Sequence, residues 1–198
     1  MNYLAHFYLS GNNEKILLGN FIGDAIKGRK WENYVGDVQK GILLHRFIDD
    51  FIDKHPFAQK SRKRIRNDFG ITSAVVLDVY FDHFLSTNWL RYSSVGLNDF
   101  AEMIFDRLRP LKSEMMGFYP MMIEKMESES WIHSYTTIEG TAKVLERMGK
   151  RVRFENNWHI AESVLRSNYI ELEEDFNSFF PEIIKAVEKS FEIKPFIS

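Results

Sequence analysis

Apolar side chains recur along this chain at the three-to-four-residue spacing of amphipathic helices. The pattern is clear over residues 14–26, 36–54, 97–108 and 138–148. No stretch shows the sustained alternation of apolar and polar residues that predicts a strand. We therefore predict an all-α fold, a single-domain helical bundle spanning residues 1–198, because this length suits one well-buried domain.

Three further segments extend this prediction. Residues 71–90 are the most apolar part of the chain, and their length favours a buried helix over a strand. The basic run over 59–66 is typical of a short exposed helix. The pattern over 160–187 is also helical, and we expect Pro181 to break or kink it, because proline removes a helix hydrogen bond.

The helix predicted over 36–54 carries an imidazole and a carboxylate among large apolar residues. His45 and Asp49 are one turn apart, about 40° around the helix axis, so their side chains project together. A buried carboxylate is costly unless it is paired or binds a metal ion. The pattern points to a metal site, with a buried hydrogen bond between the two side chains as the structural alternative.

Similar polar groups collect on the apolar helices of the first 85 residues, and the second half of the chain has no comparable collection. The set comprises His6, Asn20, Asp24, His45, Asp49, Asp53, Asp78, Asp82 and His83. Neutral imidazole with carboxylate can bind Mn²⁺, Fe²⁺, Mg²⁺ or Zn²⁺, and the excess of oxygen ligands favours the harder ions. Helical bundles build such sites from side chains on facing helices.

Some of these groups also have structural explanations, which the sequence leaves open. His6 fits a hydrogen-bonded core histidine, and Asp24 fits an ion pair with Lys27 three residues later. Asp78 and Asp82 are harder to explain in this way. Two carboxylates one turn apart on so apolar a helix repel each other unless a cation lies between them.

Composition restricts the partners and the compartment. The net charge of -2 gives no overall attraction to nucleic acid or to anionic membranes. There is no cysteine, which excludes disulfides and thiolate chemistry and suits a reducing compartment. The first residues lack the pattern of a signal peptide, and no apolar run approaches the roughly 20 residues of a membrane span. We expect a cytoplasmic protein without nucleic-acid or membrane partners.

Four sequence blocks, in order, resemble a known family. They are Met1 to His6, Gly19 to Asp24 followed by Lys27-Gly28, Leu44 to Asp49 followed by Asp53, and Leu77 to Leu85. In these blocks the chain resembles the acyl carrier protein phosphodiesterases, also called acyl carrier protein hydrolyases. The resemblance covers nearly the whole chain. It implies a helical relative of the HD-domain phosphohydrolases.

The resemblance also implies a reaction and a cofactor. The expected enzyme hydrolyses the phosphodiester that joins 4′-phosphopantetheine to a serine of holo-acyl carrier protein, its substrate and partner. A divalent cation is expected, Mn²⁺ first, with Mg²⁺ and Fe²⁺ as alternatives.

Roles for individual residues follow from this expectation. We predict that the cation is held by Asp24, His45, Asp49, Asp82 and His83, with Asn20 and Asp53 supporting those ligands. The predicted catalytic residues are His6, Arg46 and Asp78. Among these, Arg46 would neutralise phosphate oxygens, and His6 or a carboxylate would serve as general base.

Acyl carrier proteins are acidic, so the resemblance also suggests a role for basic side chains in docking. The predicted docking residues are Lys27, Arg29, Lys60, Arg62, Lys63, Arg64 and Arg66.

Two alternatives to this function remain open. One is an HD-type metal-dependent phosphohydrolase acting on a nucleotide or another small phosphoester. The other is a non-catalytic helical module that binds an acidic protein. The sequence does not indicate an oligomeric state.

Overall fold

The computed structural model describes residues 1–150 and 156–196, and in this part of the chain there is no strand. The helices are α1 (Tyr3–Leu9), α2 (Glu14–Ile22), α3 (Gly36–Lys54), α4 (Pro56–Phe69), α5 (Ser73–Thr87), α6 (Leu97–Leu108), α7 (Tyr119–Ser128), α8 (Trp131–Ser134), α9 (Ile138–Gly149), α10 (Ala161–Ser167) and α11 (Tyr169–Phe191). Short 3₁₀ turns connect several of them. The all-α prediction is confirmed. The domain bounds 1–198 and the relation to the HD-domain fold remain predictions.

The hydrophobic pattern located most helices closely. Helices α3 and α6 begin and end where the pattern predicts. Helix α2 ends at Ile22, earlier than expected, because the turn Gly23–Ala25 follows it. The expected break at Pro181 is wrong: α11 continues through it, and the chain breaks instead before Tyr169. Buried side chains on both sides of Pro181, Phe180 before it and Ile183 after it, pack into the core and offset the lost hydrogen bond.

Helix α5 lies in the middle of the core and packs against α1, α4, α9 and α11. Its Val79, Tyr80, Phe81 and Phe84 are completely buried. This is the environment expected for the most apolar segment of the sequence. Within the described residues, no helix is both long enough and apolar enough to cross a bilayer.

Helices α2 and α3 make the closest contact in the fold, through two glycines. A Cβ atom built on Gly41 would lie 2.9 Å from the Cα of Gly19 and would overlap the carbonyl oxygen of Ile16. A Cβ on Gly19 would likewise lie 2.9 Å from the Cα of Gly41. The two backbones therefore touch. This contact brings Asn20, next to Gly19, close to His45, one turn after Gly41.

Replacing Gly41 by alanine should destabilise the fold. Alanine is the better helix former by about 1 kcal/mol, so propensity alone would predict a gain. Because the new methyl group has no room, we expect the free energy of unfolding to fall by about 1–3 kcal/mol or more. Chemical denaturation measures it.

Gly96→Ala is the control for this variant. At Gly96 the nearest atom to an added Cβ is the carboxylate Oδ2 of Asp99 at 3.3 Å, which can move. We expect a change within about 1 kcal/mol there, as is usual for an N-cap position. Equal effects of the two substitutions would contradict the close-contact explanation.

Candidate metal centre

Two imidazoles and one carboxylate meet where α1 and α3 approach each other. His6 Nε2 lies 3.3 Å from Oδ1 of Asp49, and His45 Nε2 lies 3.3 Å from Oδ2 of the same carboxylate. The imidazole rings stack with their centroids 4.4 Å apart. The His–Asp pair predicted one turn apart on α3 is therefore joined by a second histidine from α1. Together the three residues can offer ligand atoms that all lie within 4.8 Å of one another.

Asn20 of α2 orients both rings. Its side-chain nitrogen donates to the carbonyl oxygen of His6 at 2.9 Å and to Oγ of Ser10 at 2.8 Å. This arrangement fixes the amide, so that its oxygen faces Nδ1 of His6 at 2.7 Å and Nδ1 of His45 at 3.3 Å. An amide oxygen can only accept hydrogen bonds. Both Nδ1 atoms must therefore carry the proton, which leaves the Nε2 lone pairs for the opposite side.

The turn after α2 leaves room for the second histidine. A Cβ atom at Gly23 would lie 2.5 Å from both Cβ and Cγ of His45. Any larger residue at position 23 would push the imidazole away from Asn20 and Asp49. The sequence block Gly19 to Asp24 thus contributes in three ways. Gly19 allows the close contact with α3, Asn20 orients the two imidazoles, and Gly23 leaves room for the ring of His45.

The two Nε2 atoms are the best test of whether a metal fits here. Both are buried, and neither makes a hydrogen bond of good geometry within the described part of the chain. Each lone pair instead faces the Asp49 carboxylate at 3.3 Å, an unfavourable contact unless a positive charge lies between the atoms. A proton or a divalent cation can supply that charge. Imidazole Nε2 with carboxylate is an ordinary donor set for Mn²⁺, Fe²⁺ or Zn²⁺.

The electrostatics of the three groups agree with a need for positive charge. Burial alone would lower the pKa of His45, but the nearby carboxylates of Asp24 and Asp49 outweigh it and raise the pKa to about 9. Burial, together with the charge of His45, lowers the pKa of His6. Burial would raise the pKa of Asp49, but the two histidines hold it well below its usual range. Without a metal, then, a proton on His45 takes the place of a cation, and metal binding would displace it.

Asp24 lies at the mouth of this site. Its carboxylate is 3.9 Å from Nε2 of His45 and 3.3 Å from Nζ of Lys27, and its side chain is 69% exposed. The nearby imidazole of His45 lowers the pKa of Asp24 to about 2. Asp24 therefore pairs with Lys27, as one of the two interpretations from the sequence expects, and it also lies near His45; its role as a metal ligand stays a prediction.

Asp78 and Asp82 have different hydrogen-bond and ion-pair partners. Asp82 is completely buried, and it accepts hydrogen bonds from the backbone N–H groups of Leu4 at 2.8 Å and Ala5 at 3.3 Å. These first-turn N–H groups have no partner within α1, so Asp82 fastens α1 to α5. Asp78 lies 3.1 Å from the α-ammonium of Met1. It lines the same cavity as the two imidazoles, and its predicted catalytic role stays a prediction.

His83, predicted as a ligand, points away from this site. Its Nδ1 lies 2.7 Å from the carbonyl oxygen of Tyr135, and its Nε2 lies 3.3 Å from the hydroxyl of Tyr169. Successive residues of a helix differ by about 100° in direction. Because Asp82 faces α1, the next residue faces α8 and α11 instead. We therefore correct the ligand prediction for both Asp82 and His83.

Arg46 and Asp53 have structural partners. Arg46 donates from Nη2 to the carbonyl oxygens of Ile26 and Gly28, the latter at 2.7 Å, so it holds the loop after Asp24 rather than facing the imidazoles. Asp53 borders the cavity and forms an ion pair with Arg62. Arg46 is thus a positioning residue for the mouth of the site.

The predicted docking residues fall into two groups. Four of them already have acidic partners: Lys27 with Asp24, Arg29 with Glu32, Lys60 with the buried Asp175, and Arg62 with Asp53. Arg64 is half-buried, whereas Lys63 and Arg66 are exposed on α4. Within the described residues, no acidic partner is found for Lys63 or Arg66.

A cavity of about 320 Å³ opens above the three ligand groups. Besides the polar residues, it is lined by Tyr3, Ile52, Val75 and Met148. The sequence pattern does not predict that Tyr3 and Met148 line a functional site. Met148 comes from α9, far along the chain, and no local pattern distinguishes it from an ordinary core methionine.

Comparison with known proteins identifies relatives of this chain. The profile of the family described as "Acyl carrier protein phosphodiesterase" matches residues 1–183. Curated proteins of that name include one from Salmonella paratyphi A, 29% identical, and one from Yersinia pestis, 27% identical. Each alignment covers 93% of this chain and 96% of the relative. No solved structure gives a significant match. Because the family profile covers most of its length, the chain belongs to the acyl carrier protein phosphodiesterase family of enzymes.

Proposed function

We propose that this enzyme uses a divalent cation, Mn²⁺ first, to hydrolyse the phosphodiester between 4′-phosphopantetheine and a serine of holo-acyl carrier protein. The products are apo-acyl carrier protein and free 4′-phosphopantetheine. The relatives' names support the substrate. The observation that carries the metal proposal is the convergence of two unpartnered imidazole Nε2 atoms on one carboxylate.

His6, His45 and Asp49 would hold the cation. When bound, such an ion places positive charge against a phosphodiester oxygen and lowers the pKa of a water molecule. In this proposal His6 is a metal ligand and not the general base expected from the sequence. Its Nδ1 donates a hydrogen bond to Asn20, and its Nε2 faces Asp49. Asp24, at the mouth and close to His45, is a further carboxylate that can accept a proton from water or add a ligand atom.

The rest of the cavity positions the substrate. Lys27, on the loop held by Arg46, places an exposed ammonium at the mouth, where it also pairs with Asp24. This positive charge favours entry of an anionic phosphodiester.

The direct test is incubation of the purified protein and Mn²⁺ with holo-acyl carrier protein, followed by mass spectrometry. We expect loss of the prosthetic arm and its appearance as 4′-phosphopantetheine. Retention of the arm, in the presence of an active relative as control, would contradict the proposed substrate. Cleavage of a small diester alone would instead favour the small-phosphoester alternative.

Replacing the shared carboxylate should remove both metal binding and turnover. Asp49→Ala should lower kcat on holo-acyl carrier protein by at least about 100-fold, because it leaves two lone pairs without a third ligand. Asp50→Ala is the matched control: the neighbouring residue points outward and pairs with Lys54 at 2.6 Å. Calorimetry with Mn²⁺ and a turnover assay measure the two effects. An active Asp49 variant would contradict the ligand assignment.

Asn20 should control metal affinity without touching the metal. Asn20→Ala removes the acceptor that holds both Nδ1 protons, so both rings can turn and change tautomer. Loss of such a supporting partner typically weakens metal binding by about 10–100-fold, and Mn²⁺ titration calorimetry measures it. Ser10→Ala, which removes only one hydrogen bond to the amide, should have a smaller effect. Unchanged affinity in a folded Asn20 variant would contradict this role.

The unpaired cations of α4 should assist docking of the acidic carrier protein. The double variant Lys63→Glu/Arg66→Glu should raise KM for holo-acyl carrier protein by about three- to tenfold at low salt, with less effect at high salt. Cleavage of a small diester should not change. Lys185→Glu/Lys189→Glu, on the exposed side of α11, makes the same change in net charge and serves as control. Equal effects of the two double variants would indicate net charge rather than a docking surface.

A further inference from the structure

An apolar groove runs beside the cavity of the candidate metal centre. It is formed by Tyr3, Phe118, Met121, Lys125 and Met148, together with buried neighbours, and encloses about 440 Å³. Tyr3 and Met148 line both the groove and the metal-centre cavity. The cavity and the groove are therefore adjacent, separated by no more than these two side chains.

The groove exposes side chains that are normally covered. Phe118 is 53% exposed and Met121 is 68% exposed, and Met116 close by in the chain is 46% exposed. Exposed apolar side chains gathered in one short segment beside a polar site are typical of a ligand-binding surface. Methionine is flexible and polarisable, so such a surface adapts well to a chain that carries both apolar groups and sulfur.

Charged pairs lie at other borders of the cavity: Asp24 with Lys27, and Asp53 with Arg62. A phosphodiester has two substituents, and they must leave the site in different directions. Arg62 belongs to α4, which also carries the exposed Lys63 and Arg66, so this charged side suits an acidic protein surface. The groove suits a thin arm that carries methyl groups and a thiol beside its amides. Lys125 in the groove, with its ammonium 3.6 Å from Glu129, can donate to an amide carbonyl of such an arm.

We propose that this groove binds the pantetheine arm of the substrate while the carrier protein leaves the site on the charged side. This inference rests on the proposed function and adds to it the direction in which the substrate lies. The arm is then recognised by contacts of its own, separately from the protein to which it is attached. Phe118 and Met121 are the specificity-determining residues, and neither contacts the metal ligands.

Two synthetic diesters separate the contacts of the arm from those of the carrier protein. The first is the methyl diester of 4′-phosphopantetheine, in which a methyl group replaces the serine, so that the arm is present without the protein. The second is methyl 4-nitrophenyl phosphate, which lacks the arm. The variants are Met121→Glu and Phe118→Ser. Ile170→Glu is the matched control, because Ile170 is 69% exposed and lines neither the cavity nor the groove.

For both groove variants we expect KM for the arm-bearing diester to rise by about five- to tenfold, the loss expected for one partly buried apolar contact. KM for methyl 4-nitrophenyl phosphate should not change, and Ile170→Glu should behave as the unsubstituted enzyme on both. Thermal unfolding checks that the variants are folded; since both side chains are largely exposed, little change is expected.

Three results would overturn the inference while leaving the proposed function intact. Unchanged KM for the arm-bearing diester would show that the groove does not bind the arm. An increase only with whole holo-acyl carrier protein would show that the groove contacts the protein. Equal increases on both small diesters would show a general disturbance of the site. By contrast, an unsubstituted enzyme that cleaves methyl 4-nitrophenyl phosphate but neither arm-bearing substrate would overturn the proposed function and this inference together.

Discussion

The structure depends most on one unfavourable electrostatic contact: two imidazole lone pairs face the same carboxylate in a cavity lined by polar and apolar side chains. His6 and His45 each bring Nε2 to 3.3 Å from Asp49, and neither nitrogen makes a good hydrogen bond within the described residues. Protein interiors rarely leave buried polar atoms in this state. The repulsion between each Nε2 lone pair and the Asp49 carboxylate is removed when a positive charge lies between these atoms. A proton on His45 can supply that charge, and the divalent cation that we propose would supply it with three ligands at once.

The surrounding fold keeps the three groups in this arrangement. Gly19 and Gly41 let α2 and α3 touch, which places Asn20 against His45. Asp82 fastens the first turn of α1 to α5 and so fixes the direction in which α1 presents His6. The enzyme thus supports its ligands with backbone contacts and one amide. Arg46, by holding the loop after Asp24, extends this support to the mouth of the site.

The sequence predicted those parts of the site that depend on a single helix. His45 and Asp49 lie on α3 with the spacing that brings them together, and the helix has the predicted bounds. Contacts between elements were harder to predict. Asp82 resembles a metal ligand in the sequence because its partners, two backbone N–H groups, carry no sequence signal. His83 follows it directly, so helix geometry turns it to another face. The continuation of α11 past Pro181 likewise depends on packing that a local pattern does not contain.

Anomalous diffraction from crystals grown with Mn²⁺ tests the account most directly, because it locates the ion without any assay of activity. The account predicts one strong peak within bonding distance of His6 Nε2, His45 Nε2 and the Asp49 carboxylate, with Asn20 still accepting from both Nδ1 atoms. A peak beside Asp78, Asp82 or His83, or no peak in an enzyme that remains active after metal removal, would contradict it.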